Sequence, residues 1–367
     1  LNKTLAPQGL GENAVRNIKW VVVSALAGIA VFGFQAQRSC AQEGVAEGTR
    51  NMVSSHSALY SAVLQDGLRY WDKGFLINYE SNHTFETTPS RSGVILYDRD
   101  GRVARQPIIW IDGASTVSVN HAAVDHSGNI VVAGAAVDSR GALASFIGLI
   151  GSDDRLQKII RTTPFVSDYV CLLDDGTVWS YGTERDDHHN VLQNSPRLRH
   201  YSFEKGQLGA LLNVTTLPDY ASSSEQWRFS RGMPFEVNLR CNSKMVVLYS
   251  GRTGDLFELD LKTNTTTITK VPLFPASCPT FCISGFGLTD AGEIFASFID
   301  RRKSSMPLSG LFRLTHTQPG KAEWVALPGT LGIYLKQSPM HALWGTDGDN
   351  LVYSQQHDGR LYWSKPD

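Results

Sequence analysis

One phrase recurs along this chain and limits its fold more than any other feature. An apolar run stops at an acidic or polar residue, a glycine follows within a few positions, and a β-branched or aromatic run begins. The fullest copy is Val124-Asp125-His126-Ser127-Gly128-Asn129-Ile130-Val131-Val132-Ala133-Gly134. Residues 173–182, 252–259, 288–297 and 346–354 repeat it, and 97–103 is a weaker relative. Each copy reads as a β-hairpin whose glycine supplies the positive-φ position of a tight turn, after which the chain returns alongside itself. The turn glycines are Gly101, Gly128, Gly176, Gly254, Gly292 and Gly348. The steps from Gly128 to Gly176 (48 residues) and from Gly254 to Gly292 (38 residues) fit one four-stranded unit each. The longer Gly176 to Gly254 step leaves room for a degenerate unit or an insertion.

Second hairpins follow the first. The runs 144–150, 256–261 and 311–314 each reach a polar turn and return over 156–161, 265–271 and 322–327. Two hairpins in series make a four-stranded antiparallel sheet. One such sheet cannot bury both its faces, whereas sheets stacked around an axis bury them against one another. The expected fold is therefore all-β: a six- to seven-bladed β-propeller of four-stranded antiparallel sheets over residues 56–367. The last hairpin, 351–353 with 360–363, should be completed by an N-terminal strand near 58–64 that closes the ring. Only 19% of the residues are charged, which argues against coiled coils and disorder.

These hairpins resemble the broad NHL and SMP-30 (gluconolactonase-like) propeller superfamily, whose phrase is an apolar strand, Asp-x-x-Gly-Asn, and a second apolar strand. Residues 124–132 carry the likeness best, and short motifs extend it over roughly residues 75–363. The resemblance implies blades. In its gluconolactonase-like members it also implies carboxylates and asparagines converging on a calcium ion at the channel mouth.

Ahead of the repeats, residues 20–34 read WVVVSALAGIAVFGF without a charge, and Lys3, Arg16 and Lys19 precede them against one acid, Glu12. A basic flank before an apolar run is the layout of an export signal or signal anchor, here an N-terminal hydrophobic helix. Ser39-Cys40-Ala41 offers small residues for cleavage, so residues 1–41 are expected to be a signal peptide or anchor and 42–55 a linker. The rest of the chain is then exported, to a periplasm or the exterior, with membrane contact confined to residues 20–37. Cys171, Cys241, Cys278 and Cys282 remain after cleavage, an even number that permits disulfides. Cys278 and Cys282 enclose three residues that a disulfide could close, the alternative being buried thiols.

In a propeller the first strand of each blade lines the central channel. Register places Asn120, His121, Asp168, Tyr169, Asn238, Arg240, Ser284 and His341 there as ligand-binding candidates. Only Asp168 among them is a carboxylate, a departure from the calcium pattern. Asp186-Asp187-His188-His189 is the densest set of metal-ligating side chains, but consecutive strand residues point oppositely and the polar surroundings read as a solvated loop. No Gly-x-Ser-x-Gly elbow, phosphate-binding glycine loop or paired-histidine zinc motif occurs. Acids and bases nearly cancel, with a net charge of −1, so composition gives no support for a nucleic-acid partner. These features point to a monomeric, exported binding or scaffold module for a protein or glycan, with no cofactor. The alternative is a lactonase-like or lyase-like enzyme holding calcium or zinc at the channel mouth.

Overall fold

The computed structural model describes residues 56–59, 68–79, 93–188, 190–192, 194–212, 237–250, 254–272, 281–300, 308–328, 330, 332–333, 341–355 and 360–366. The expected export helix and linker, together with Cys278 and His189, lie outside these residues. Among the described residues the chain is all-β, and no helix is long and apolar enough to cross a membrane.

The strands group into antiparallel sets of four. Set one holds β2 (Leu68–Asp72), β3 (Phe75–Tyr79), β4 (Val94–Tyr97) and β5 (Val103–Arg105). Set two holds β6 (Ala114–Val124), β7 (Ile130–Asp138), β8 (Leu143–Ile150) and β9 (Leu156–Arg161). Set three holds β10 (Phe165–Leu172), β11 (Val178–Glu184), β12 (Leu198–Ser202) and β13 (Gly206–Leu212). Set four holds β14 (Val237–Cys241), β15 (Met245–Ser250), β16 (Asp255–Asp260) and β17 (Thr265–Lys270). Set five holds β18 (Phe281–Leu288), β19 (Ile294–Asp300), β20 (Leu308–Gln318) and β21 (Lys321–Ala326), with the short β22 (Gly332–Ile333) on β20. In the last set, β23 (His341–Asp347), β24 (Asn350–Gln355) and β25 (Arg360–Ser364) are joined by β1 (His56–Leu59), which pairs with β25 from the other end of the chain. The N-terminal closing strand expected near 58–64 is thus present two residues earlier.

The inner strands of the sheets are buried on both faces, which explains why they read as near-continuous apolar runs, while the outer strands β9, β13 and β17 are largely exposed. In β7, Ile130 and Val132 pack with Tyr70, Ile77 and Tyr79 of set one. The alternate residues Val131 and Ala133 pack with Phe165, Val170 and Leu172 of set three. The same arrangement continues around the molecule. Leu239 and Leu248 meet Trp179 and Tyr181, Tyr249 meets Phe286, and Phe295 and Leu311 meet Leu343 and Tyr353. Val352 and Trp363 of the last set then meet Trp71 and Leu76 of the first. Successive sets therefore enclose apolar clusters in cyclic order, and the layout is propeller-like.

Glycine sets how closely the first strands approach. Gly345 of β23 is bridged to Trp71 of β2, and a Cβ there would collide with the Trp71 carbonyl oxygen. A Cβ on Gly285 of β18 would collide with the Leu343 carbonyl oxygen.

Four of the sequence-identified turns join the first two strands of a set, at Gly128, Gly176, Gly292 and Gly348. The other two do not. Gly101 joins β4 to β5, and Gly254 lies between β15 and β16. The inner turns of those sets are Lys73-Gly74 and Asn242-Ser243-Lys244 instead. A positive-φ glycine beside an acidic residue closes any antiparallel hairpin, so the phrase marks a hairpin without fixing which pair of a set it joins.

Candidate functional site

The first strands of the sets, β2, β6, β10, β14, β18 and β23, face one another around the axis. Four of them carry a β-bulge near mid-strand, at Asn120, Asp168, Ser284 and Trp344. A bulge takes one residue out of the ladder and re-aims its side chain. Asn120, Asp168 and Ser284 were nominated from sequence, and all three are only half-buried. Asn120 donates from Nδ2 to the Ser167 carbonyl at 2.9 Å, and Ser284 Oγ lies 2.9 Å from Ser297 Oγ. Burial pushes the Asp168 carboxyl up to about 6, against the pull of Arg185 and Arg197. Each of these residues is thus the one its strand takes out of the ladder.

One step further along the strands, aromatic rings gather around His121. His121 is 2% exposed, with the rings of Tyr70, Tyr79 and Tyr169 at 5.3, 5.2 and 5.3 Å. Burial, then the nearby Arg240 charge, lowers its pKa to about 3, so it is a neutral imidazole. Tyr70 donates its hydroxyl to the Ala122 carbonyl. From the opposite side Arg240 lays its guanidinium over the Tyr70 ring, 4.3 Å from the centroid.

The far end is closed by the inner turns. His126 Nδ1 lies 2.9 Å from Asp174 Oδ2, and its Nε2 lies 3.9 Å from Asp290 Oδ2. Lys73 donates from Nζ to the Leu172 carbonyl at 2.6 Å and sits 3.7 Å from Asp72. Asn242 donates to the Thr289 carbonyl at 2.7 Å, and the Ala291 amide donates to Asp349 at 2.9 Å. The cavity left among Asp72, Lys73, His126, Asn242 and Asp290 measures about 10 Å³, room for one water. A wider groove of about 710 Å³ opens between sets four and five, where Glu258 and His316 approach to 3.4 Å.

The remaining sequence candidates separate by role. His341 is the first residue of β23, and its side chain lies outside the described residues. Asp186 accepts hydrogen bonds from the His188 and Asn190 amides and from Asn190 Nδ2. Its carboxylate therefore closes a loop, with Asp187 and His188 exposed. Among the described residues no group of three or more His, Cys, Asp and Glu is placed to hold a metal ion. Among the described residues Cys171 of β10 bonds Cys241 of β14, with Cα atoms 6.0 Å apart, while the Cys278–Cys282 candidate includes Cys278, outside the described residues. Two cysteines 70 residues apart carry no spacing signal, and only the packing of set three on set four brings them together.

Sequence reasoning missed Tyr70, Tyr79, Lys73 and Trp344. Trp344 had a usable signal, since it lies at the step before a glycine that Ser284 occupies in β18. Set one had none, because its inner turn, Asp72-Lys73-Gly74, is too short to match the repeated phrase.

No family model matches the chain, and no curated protein matches it. Among solved structures it is similar to a protein described as exported from Bacteroides fragilis, with TM-score 0.41 and 12% identity, covering 84% of this chain and 86% of that one. It is also similar to Kuenenia stuttgartiensis hydrazine synthase, with TM-score 0.36 and 13% identity over 88% of this chain and 98% of that one. A chain of a nidogen/laminin complex gives TM-score 0.35 and 12% identity over 78% and 84%.

Proposed function

We propose that this chain is an exported, six-bladed β-propeller that works as a non-catalytic binding module, taking a protein or glycan ligand at the rim of Asn120, Asp168 and Ser284. The observation that carries the reading is the asymmetry of the axis. One end is sealed by the cross-turn contacts of His126, Lys73 and Asn242, while the other presents bulged, half-buried polar side chains from separate strands. A rigid ring with one polar, concave end is a common ligand-binding form. The blade number rests on the cyclic apolar clusters and on β1 completing the last sheet. Export is supported by the apolar segment at residues 20–34 and by a disulfide of the kind that persists in oxidising compartments. The hairpin phrase keeps its likeness to NHL and gluconolactonase-like repeats as a likeness of blades.

The test compares the purified protein with an Asn120→Ala/Asp168→Asn/Ser284→Ala triple variant in a thermal-shift panel of soluble glycans and peptides, with and without chelator. A stabilising ligand whose effect the triple variant loses supports the reading. Ligands that stabilise both proteins equally refute the rim. A chelator that lowers the melting temperature, with stoichiometric calcium or zinc by elemental analysis, replaces the binding module with the metal-dependent enzyme.

A further inference from the structure

We propose that the channel below the rim holds an oxyanion, a carboxylate or phosphate group of the ligand, on Arg240 and Asn238. This rests on the binding reading above and names the chemistry of what is bound.

Asn238 and Arg240 are two residues apart on β14 and so project from the same face. The alternate residues Val237, Leu239 and Cys241 pack into the apolar cluster shared with set three. Asn238 is 3% and Arg240 8% exposed, and each keeps a buried N–H without an acceptor, Nδ2 of Asn238 and Nε of Arg240. Buried donors nearly always have partners, and one left without costs free energy. The guanidinium contacts are the Leu239 carbonyl at 2.9 Å and the Tyr70 ring face. Neither neutralises a charge, and among the described residues no carboxylate forms an ion pair with Arg240.

The local charge balance points the same way. Lys73 is a second buried cation, 6% exposed, and Asp72, 3.7 Å from it, is the carboxylate they share. His121 adds no charge, since burial keeps it neutral. Lys73 also feels the Asp174 carboxylate at the inner turns, so of the two cations it is Arg240 that stands in an aromatic, low-dielectric setting without a carboxylate of its own, where an anion is held far more strongly than in water. Counted back from the inner turn, Asn238 is level with His121 and Tyr169, one step below Asn120 and Asp168. Asp168 is no barrier, because Arg185 and Arg197 stand beside it. Arg240 offers the planar fork that matches an oxyanion, and Asn238 a further amide donor.

The experiment is thermal melting in sodium phosphate and sodium citrate against sodium chloride at matched ionic strength. The protein should gain about 4 °C at a hundredfold excess of oxyanion over Kd, saturably, with no gain in chloride. Arg240→Met should lose that gain while melting at or above the parent in oxyanion-free buffer, because an apolar side chain of similar length removes the unpaired buried charge. Absence of an oxyanion-specific gain in the parent overturns the proposal, as does an equal gain in Arg240→Met. Should Arg240→Met fail to fold, Asn238→Ala decides: a roughly tenfold weaker oxyanion response supports the site, and an unchanged one overturns it. A neutral or cationic ligand lost by the rim triple variant but kept by Arg240→Met would overturn the oxyanion and leave the binding module standing.

Discussion

Breaking the Cys171–Cys241 disulfide should destabilise the protein by about 3–4 kcal/mol. The bond joins the first strands of two neighbouring sets across a sequence separation of 70 residues. In the unfolded chain it closes a loop of that length, and the chain-entropy relation then gives about 15 cal/mol/K, or about 4.4 kcal/mol at 25 °C. Measured disulfides often deliver less than that relation, which sets the lower bound of the range. Unfolding entropy scales with length, so for a domain of about 300 residues this is a fall of roughly 5–6 °C in melting temperature. The assay is paired urea and thermal unfolding of the oxidised and reduced protein and of Cys171→Ala, Cys241→Ala and the double variant. The urea m-value should rise on reduction, since the freed chain exposes more surface when unfolded. Because either single substitution already opens the loop, the double variant should cost little more than each single one. Equal stability with and without reductant would refute the reasoning. So would single losses that simply add, which is the behaviour of two independent buried thiols.

Three further outcomes follow from the packing. Deleting His56–Leu59 removes the fourth strand of the last sheet and should lower the melting temperature of the whole domain, not of one edge; differential scanning calorimetry checks this, and an unchanged transition contradicts ring closure. The His121 pKa is depressed to about 3 in the folded state, so its contribution is fully present above about pH 6.5 and is lost as pH falls towards 3. His121→Phe, which keeps an aromatic ring among the three tyrosines, should therefore move the acid-unfolding midpoint lower, read by circular dichroism. Gly345→Ala places a methyl group against the Trp71 carbonyl and should cost more than about 3 kcal/mol, whereas Gly209→Ala, with open space around its Cβ, should stay within about 0.5 kcal/mol in urea melts.

The sequence by itself determined the local structure. Asp-x-x-Gly turns specify hairpins through the glycine's positive φ and the carboxylate's reach to its own following amides. Asp125, whose carboxylate accepts from the Ser127 and Asn129 amides, shows this at Gly128. Apolar runs on both sides of such turns specify strands buried on both faces, and that was enough to anticipate four-stranded sheets and a closing strand near the N-terminus. Asn120, Asp168 and Ser284 stand at the same distance before those turns, and each is the residue at its strand's bulge. Contacts between sets were not legible. The pairing of Cys171 with Cys241 and the reach of Arg240 to Tyr70 join residues whose separation follows no repeat. Such contacts are set by how far each sheet turns about the axis and by where glycines let backbones close up. They are settled only when every set packs at once, which is why the chemistry of the channel belongs to the tertiary structure.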